Sequence, residues 1–458
     1  MHFTTVNDGQ VEAILDAKSL SPFQICTIVL CALVALIDGF DTQAIAFAAP
    51  VIAKAWSADL SLFGPVFGAG LLGLTIGALV LGPAADRFGR KPIIVLSTLV
   101  FGVGSLVTIF ADNMTGLISY RFITGLGLGG AMPNIIALTA EYAPKRIRAL
   151  VVTSMFCGFP IGAVLGGLVS SKAIPVYGWE SVFIAGGVLP LLLVPALIIW
   201  LPESVRFLAA HIGGAEQVSA LLNRIDSHAV IGFSASPPRP AGPRARAGIG
   251  ALFAERQVAG TLLLWTAFFC NLLVLYFLIN WLPSVLQRAG VSLERAILAT
   301  ALLNAGGVVG GLAFSWFIDR LGPKMVLTLA YLGGALLVSA IGIDWNSAAT
   351  TYGIIAAAGF CVIGAQFGLN ALAAEYYPTS LRSTGVGAAL GIGRVGAIMG
   401  PLVGGALISL NLDAMRLFLL AALPAVVASL AIYLACRTAA PTADEAIERG
   451  QLPLTNLD

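Results

Sequence analysis

The chain has 458 residues, 58% of them hydrophobic and only 10% charged, with a formal net charge of +2 and a mean hydropathy of +0.93. A soluble domain keeps about a quarter of its residues charged because its surface meets water, so a soluble enzyme or binding module is excluded. The near-neutral balance without a long basic run argues against nucleic acid as a partner. Single cores stop growing at roughly 250–300 residues, which points to a body in two parts.

The first residues are polar and mixed in charge, and the apolar run behind them is too long for the core of a secretion signal. An uncleaved first helix is therefore expected. Helices of about 20 apolar residues cross a bilayer. Runs of that kind begin near Phe23, Ser61, Pro92, Met114, Leu150 and Ser181, and again near Gln257, Ala296, Met325, Thr351, Ser383 and Ala414. Between the two sets lies a polar stretch, Pro202 to Arg256, whose part from Ser234 to Gly250 is rich in Pro, Arg, Ala and Gly and reads as a flexible linker. The expected architecture is an all-α membrane protein of twelve spans. It divides into a cytoplasmic N-terminus (1–22), a six-helix bundle (23–201), a cytoplasmic linker (202–256), a second six-helix bundle (257–436) and a cytoplasmic tail (437–458).

Orientation follows from the placement of Lys and Arg. With both termini inside, the inner segments hold Lys18, Arg87, Arg90, Lys91, Lys145, Arg146, Arg148, Arg206, Arg224, Arg239, Arg244, Arg246, Arg256, Arg320, Lys324, Arg382, Arg437 and Arg449. The outer loops hold Lys54, Lys172, Arg288, Arg295 and Arg416, and the bias of 18 to 5 favours cytoplasmic termini.

Two inner loops recur. Asp86-Arg87-Phe88-Gly89-Arg90-Lys91 matches Asp319-Arg320-Leu321-Gly322-Pro323-Lys324 at an offset of 233 (319 − 86). Ala140-Glu141-Tyr142 matches Ala374-Glu375-Tyr376 at 234 (374 − 140), where Arg148 also meets Arg382, Gly162 meets Gly396 and Gly166 meets Gly400. Six spans separate each pair, so the halves run parallel, an arrangement that places a solute site between them. In the first loop, Asp86 is expected to cap free N–H groups or pair with a cation. Gly89 permits a turn that a Cβ would strain, and Arg90 and Lys91 hold the loop at the cytosolic face. The motif reads as a latch that engages and releases.

Asp38, Asp41, Arg121 and Arg394 lie deep within the expected spans. Each costs roughly 2.5–3.5 kcal/mol at a helix centre, which makes a functional role the default reading. Asp38 and Asp41 are three residues apart and share a helical face. If the first span ends near Ala48 and the fourth begins near Met114, Asp41 and Arg121 each lie about seven residues, ~10 Å, inward, and can pair. At the 234 offset Asp38 and Asp41 meet Leu272 and Leu275, and Arg121 meets Ile355, so these charges are not part of the repeated scaffold. Arg394 lies near the midplane; it is a candidate for binding a carboxylate or for bracing neighbouring helices. Glu141 and Glu375 sit near Arg148 and Arg382 at matching inner ends, and are expected to form gate or bracing pairs. Asn134, Tyr276, Asn280, Trp281, Asn304, Gln366 and Asn370 can complete a polar and aromatic site or pack between helices.

The six cysteines, scattered through apolar runs without a C-x-x-C pair, suit neither a zinc site nor a disulfide framework. All three histidines lie outside the apolar runs, so proton movement through the membrane falls to another group. No metal or cofactor motif is expected.

These motifs identify a family. Gly82-Pro83-Ala84-Ala85-Asp86-Arg87-Phe88-Gly89-Arg90-Lys91 resembles the loop signature of the major facilitator superfamily, with Ser315 and Pro323 marking a degenerate second copy. Arg121 followed by Gly125, Gly127 and Gly129 resembles its fourth-helix motif, and Pro202-Glu203-Ser204 with Arg206 resembles the sixth-helix exit of metabolite porters. The run Asp38-Gly39-Phe40-Asp41, with Arg121, Glu141, Arg382 and Arg394, resembles the aromatic acid:proton symporter branch. That resemblance implies import of aromatic carboxylates with a proton as the coupling ion and no other cofactor. It assigns Asp38 and Asp41 to proton coupling, Arg121 and Arg394 to substrate binding or charge compensation. It further implies a multi-pass protein of a bacterial inner membrane that functions as a monomer. Other readings stay open: a porter of another organic anion or a sugar, or a non-transporting receptor for an aromatic acid. Gly396 to Gly405 has a glycine spacing associated with antiporters, but in the eleventh rather than the fifth span, and is read as helix packing.

Overall fold

Hydrocarbon offers no partner to a backbone N–H or C=O, so a chain that crosses it must satisfy those groups within its own helices. In a computed structural model, which describes residues 5–6, 20–210, 214–225, 233–234, 252–253, 258–343, 347–377 and 381–438, twelve helices are long and apolar enough to do so. Spans 1 to 6 are Pro22–Ala55, Leu60–Phe88, Arg90–Thr108, Met114–Tyr142, Leu150–Tyr177 and Glu180–Trp200. Spans 7 to 12 are Val258–Arg288, Leu293–Leu321, Pro323–Ile341, Ala348–Tyr376, Thr384–Ser409 and Ala414–Arg437.

Local chemistry sets the ends. Span 1 starts with a capping box in which Gln24 N donates to Ser21 Oγ and Ser21 N donates to Gln24 Oε1, with Pro22 in the first turn. Span 5 is interrupted at Cys157, between helices Arg148–Phe156 and Gly158–Tyr177. Pro160 has no N–H to return to the Phe156 carbonyl, which accounts for the break.

The repeat is visible as packing. A Cβ on Gly73 of span 2 would lie 2.2 Å from the Phe122 carbonyl of span 4, and one on Gly306 of span 8 would lie 2.0 Å from the Ala356 carbonyl of span 10. Likewise Gly162 of span 5 sits against the Leu36 carbonyl of span 1 and Gly396 of span 11 against the Phe269 carbonyl of span 7. Each pair maps onto the other at 233 or 234 residues. The glycines from Gly396 onward therefore bring helices into backbone contact, with Gly404 pressed on the Trp281 ring.

The halves meet at the end away from the loop motifs. Gly405 backs onto the Ser61 carbonyl, the Phe67 and Trp281 rings pack edge to face at 5.1 Å, and Lys172 forms an ion pair with Glu294. At this end the Asp59 carboxyl is held below the usual range by the Ser61 hydroxyl and backbone N–H, with Arg288 of the other half assisting. Nearer the loop motifs, Phe156 and Phe367 touch across the halves with ring centroids 6.1 Å apart.

Two sequence expectations need revision. The stretch between the halves is not uniformly polar linker: it holds helices Val205–Ala210 and Gly214–Ile225, the second of which buries Val218 and Leu222 beside Leu138 and Tyr142. The Pro- and Arg-rich part, 235–251, and the tails 7–19 and 439–458 lie outside the described residues; Thr5–Val6 pairs with Phe233–Ser234 as a short antiparallel ladder. Span 1 runs to Ala55, seven residues beyond the end assumed from the sequence.

The close helix contacts make a direct prediction. In Gly162→Val the new Cβ would lie 1.8 Å from the Leu36 carbonyl, whereas at Gly353 nothing lies within 4 Å. Thermal unfolding in detergent should show Gly162→Val destabilised by about 1–3 kcal/mol or more, with Gly353→Val close to the parent.

Candidate functional site

Spans 1, 3, 4 and 6 bring their polar side chains to one point. Asp41 of span 1 is fully buried and Arg121 of span 4 is 3% exposed. Arg121 Nη2 lies 3.1 Å from Asp41 Oδ2 and donates to the Asp41 carbonyl at 3.3 Å. Ser105 of span 3 donates to Asp41 Oδ1 at 2.6 Å, and the Arg121 guanidinium stands 5.8 Å from the Phe183 ring of span 6. Removing one member of such a buried pair leaves an uncompensated charge and costs about 3–5 kcal/mol.

The equal residue counts assumed from the sequence do not hold, although the two side chains do meet. Counted from Ala55, Asp41 is 14 residues or ~21 Å inward, against about seven residues or ~10 Å for Arg121 from Met114. Span 1, at 34 residues, is about 51 Å long and exceeds the ~30 Å hydrocarbon core, so it must tilt or protrude. That excess brings Asp41 level with Arg121.

Arg121 is incompletely satisfied. Its Nε and Nη1 are buried without a hydrogen-bond partner. It lines a narrow cavity between the halves, ≈ 20 Å³ in this conformation and so with room for about one water molecule. Thr42 and Ile45 of span 1, Val66, Phe67, Gly70, Leu71 and Leu74 of span 2, and Arg121, Gly125 and Leu128 of span 4 form one side; Tyr276 and Asn280 of span 7 form the other. Small-molecule sites have this make-up, mostly apolar with a few convergent polar groups.

Asp38 has a separate environment. Thr42 donates to its Oδ1 at 3.1 Å, its Oδ2 is buried without a partner, and the charge of Arg394 acts on it across the halves. Arg394 is half-buried, acts also on Tyr276, and forms no ion pair among the described residues. Three of the nine candidate site residues therefore share the cavity: Arg121, Tyr276 and Asn280. Asn134 instead braces spans 2 and 4 through the Leu81 and Gly130 carbonyls. Gln366 accepts from the buried Asn271 and donates to Asn370 Oδ1 at 2.9 Å, a polar ladder within the second half. Trp281 donates to the Pro401 carbonyl and Asn304 to the Thr300 carbonyl.

At the loop motif the capping carboxylate is Glu203, not Asp86. Glu203 Oε1 accepts from the backbone N–H groups of Arg90 (2.7 Å), Lys91 (3.2 Å) and Ser204 (2.7 Å), closing the exposed start of span 3. Gly89 has φ +95°, and a Cβ on it would lie 2.3 Å from Glu203 Oε2. Asp86 and Arg87 are exposed, with Arg87 over the Phe88 ring, and Gly82 lies at ordinary contact distance from Pro133. Glu141 pairs with Arg90 rather than Arg148 and also accepts from the Ser204 hydroxyl, while Arg148 donates to the Ala143 carbonyl. Among the described residues the second half shows no such network. Pro323 has no N–H to cap, Gly322 makes the turn at φ +77° in open space, and Asp319, Glu375 and Arg382 are exposed. Arg320 covers the Trp316 ring. Glu375 and Arg382 do not pair with each other among the described residues.

Ser105 and Asn271 are contributors that the sequence did not mark, and Glu203 was marked only as part of the sixth-helix exit motif, not as the cap of span 3. Only Thr42, four residues after Asp38, had a readable signal, since that spacing stacks side chains on one face.

Comparison with known proteins agrees with this architecture. The family model described as Major Facilitator Superfamily matches residues 31–390 and 296–457. A gallate transporter of Pseudomonas putida is 46% identical over 421 residues, covering 91% of this chain and 93% of that protein. The 4-hydroxybenzoate transporter PcaK of Pseudomonas aeruginosa is 40% identical, covering 93% and 95%. Among solved structures, an inward-facing, occupied bacterial homolog of the human lysosomal transporter Spinster superposes with a TM-score of 0.71 at 17% identity, covering 92% of this chain and 98% of that one. Twelve spans, a parallel repeat, the loop motif and these matches together place the chain in the major facilitator superfamily, as a multi-pass membrane protein whose near relatives are named as aromatic acid transporters.

Proposed function

We propose that the chain is a secondary active transporter that imports an aromatic carboxylate together with a proton across a bacterial inner membrane, acting as a monomer with both termini in the cytoplasm. The observation that carries this reading is Arg121: a buried guanidinium on the cavity wall with two N–H donors, Nε and Nη1, left without partners. A carboxylate accepts two parallel hydrogen bonds from such a group. Phe67, Leu71 and Leu74 supply an apolar wall for an aromatic ring. The named substrates of the two relatives, gallate and 4-hydroxybenzoate, carry both features.

Coupling follows from competition for one cation. In the empty site Asp41 is the resident anion beside Arg121. An arriving carboxylate takes over the guanidinium, and a carboxylate that loses its cation in an apolar surround takes up a proton. Ser105 keeps Asp41 in place throughout. Entry of an anion into a negative-inside cell is opposed by about 2.3 kcal/mol per charge per 100 mV; an accompanying proton cancels that term and adds the pH gradient. Asp38, which feels the charge of Arg394 of the other half, is suited to relay the proton as the halves rock. The Glu203–Arg90–Glu141 network ties spans 3, 4 and 6 at the loop-motif end, as a latch on the first half would.

Uptake of radiolabelled 4-hydroxybenzoate into proteoliposomes under an imposed inward proton gradient tests both roles. Arg121→Gln should lose binding and uptake by about 30-fold or more, the equivalent of roughly 2–5 kcal/mol for a buried charge partner. Asp41→Asn, which mimics the protonated site, should still bind and equilibrate the acid yet fail to accumulate it. Gradient-driven accumulation by Asp41→Asn would refute the proton role, and full uptake by Arg121→Gln would refute the carboxylate role.

A further inference from the structure

Carboxylate capture by Arg121 uses only one wall of the cavity. The other carries Tyr276 and Asn280, one turn apart on span 7. Asn280 Nδ2 is committed to the Tyr276 carbonyl at 2.7 Å, which leaves its Oδ1 available as an acceptor on the same cavity wall as Tyr276. Neither Asn280 Oδ1 nor the Tyr276 hydroxyl is hydrogen-bonded to another described residue; Asn280 is buried and Tyr276 half-buried. Thr42, the remaining polar lining residue, directs its hydroxyl to Asp38. The rest of the lining is apolar or glycine. The cavity thus has a cationic side contributed by the first half and a neutral donor–acceptor side contributed by the second.

We propose that Tyr276 and Asn280 form a hydroxyl-recognition subsite, so that the preferred substrate is a ring-hydroxylated aromatic carboxylate held at both ends. This rests on the reading of Arg121 as the carboxylate site. A phenolic hydroxyl is at once donor and acceptor: it donates to Asn280 Oδ1 and accepts from the Tyr276 O–H. An acid without the hydroxyl leaves both groups unpaired in a desolvated site, and sites built to hydrogen-bond a hydroxyl discriminate strongly against such analogues. Because Arg121 belongs to span 4 and Tyr276 and Asn280 to span 7, the doubly held substrate bridges the two halves. The subsite therefore also makes closure around the substrate depend on the hydroxyl.

The test is the ratio of two affinities. Binding of 4-hydroxybenzoate and of unsubstituted benzoate is measured by calorimetry on the purified full chain in detergent, for the wild type, Tyr276→Phe and Asn280→Leu. The wild type should prefer 4-hydroxybenzoate by about tenfold or more, and each variant should bring the ratio most of the way to one. Benzoate binding by a variant shows that its site is intact. Tyr276→Phe, which removes a single oxygen, is the decisive arm if Asn280→Leu does not fold. A wild-type ratio near one, or a ratio unchanged in the variants, overturns the subsite and leaves the carboxylate reading standing. A wild type that binds neither acid overturns the carboxylate reading and the subsite with it.

Discussion

Opposite charges sealed in an apolar interior attract strongly, yet neither can be released alone without leaving a bare ion behind. Asp41 and Arg121, 3.1 Å apart and shielded from solvent, impose that constraint on the first half. Span 1 is overlong and delivers Asp41; span 3 supplies Ser105 and span 6 the Phe183 ring that receives the guanidinium. On the proposed mechanism an exchange opens the pair: a new anion for Arg121 together with a proton for Asp41. The electrostatics that hold the site together would then set the rule by which it turns over.

The parallel repeat shows that this pair is not a requirement of packing. Where the first half has Asp41 and Arg121, the second has Leu275 and Ile355, both buried and apolar. The backbone contacts around them recur nearly atom for atom, from Gly73 on Phe122 to Gly306 on Ala356. One scaffold thus carries two different interiors: a first half with a sealed Asp41–Arg121 pair, and a second in which the matching positions are apolar and the Tyr276 phenol feels the charge of Arg394. The loop motifs diverge in the same way. Arg90 and Lys91 present N–H groups that Glu203 caps, whereas Pro323 has no N–H at the matching position, and among the described residues no acid takes the place of Glu203 in the second half.

Much of this was legible in the sequence, for identifiable reasons. Hydropathy marks the spans because lipid tolerates little else, and the matched offsets of Asp86 with Asp319 and Glu141 with Glu375 expose the duplication. The Asp41–Arg121 pair was legible as two buried charges in search of partners, although the depth argument used too short a helix. Long-range partners were not legible: Ser105 reaches Asp41 across 64 residues and Glu203 reaches Arg90 across 113, and no local pattern encodes such distances. The short helix Gly214–Ile225 is a different case. Val218, Leu221, Leu222 and Ile225 have helical spacing, but a reading by composition assigned the whole stretch to linker. Gln366 and Asn370 carry the right chemistry for a site yet are engaged with Asn271 and each other, which only coordinates reveal.

The central claim, that substrate displaces Asp41 from Arg121 and so loads the proton, is tested most directly without any transport. Purified protein in weakly buffered detergent solution is mixed with 4-hydroxybenzoate near neutral pH while proton uptake is followed with an indicator dye. The account predicts about one proton taken up per substrate bound by the wild type, and none by Asp41→Asn, whose side chain at position 41 has no charge to neutralise. Substrate binding without proton uptake in the wild type, or equal uptake in the variant, would contradict it.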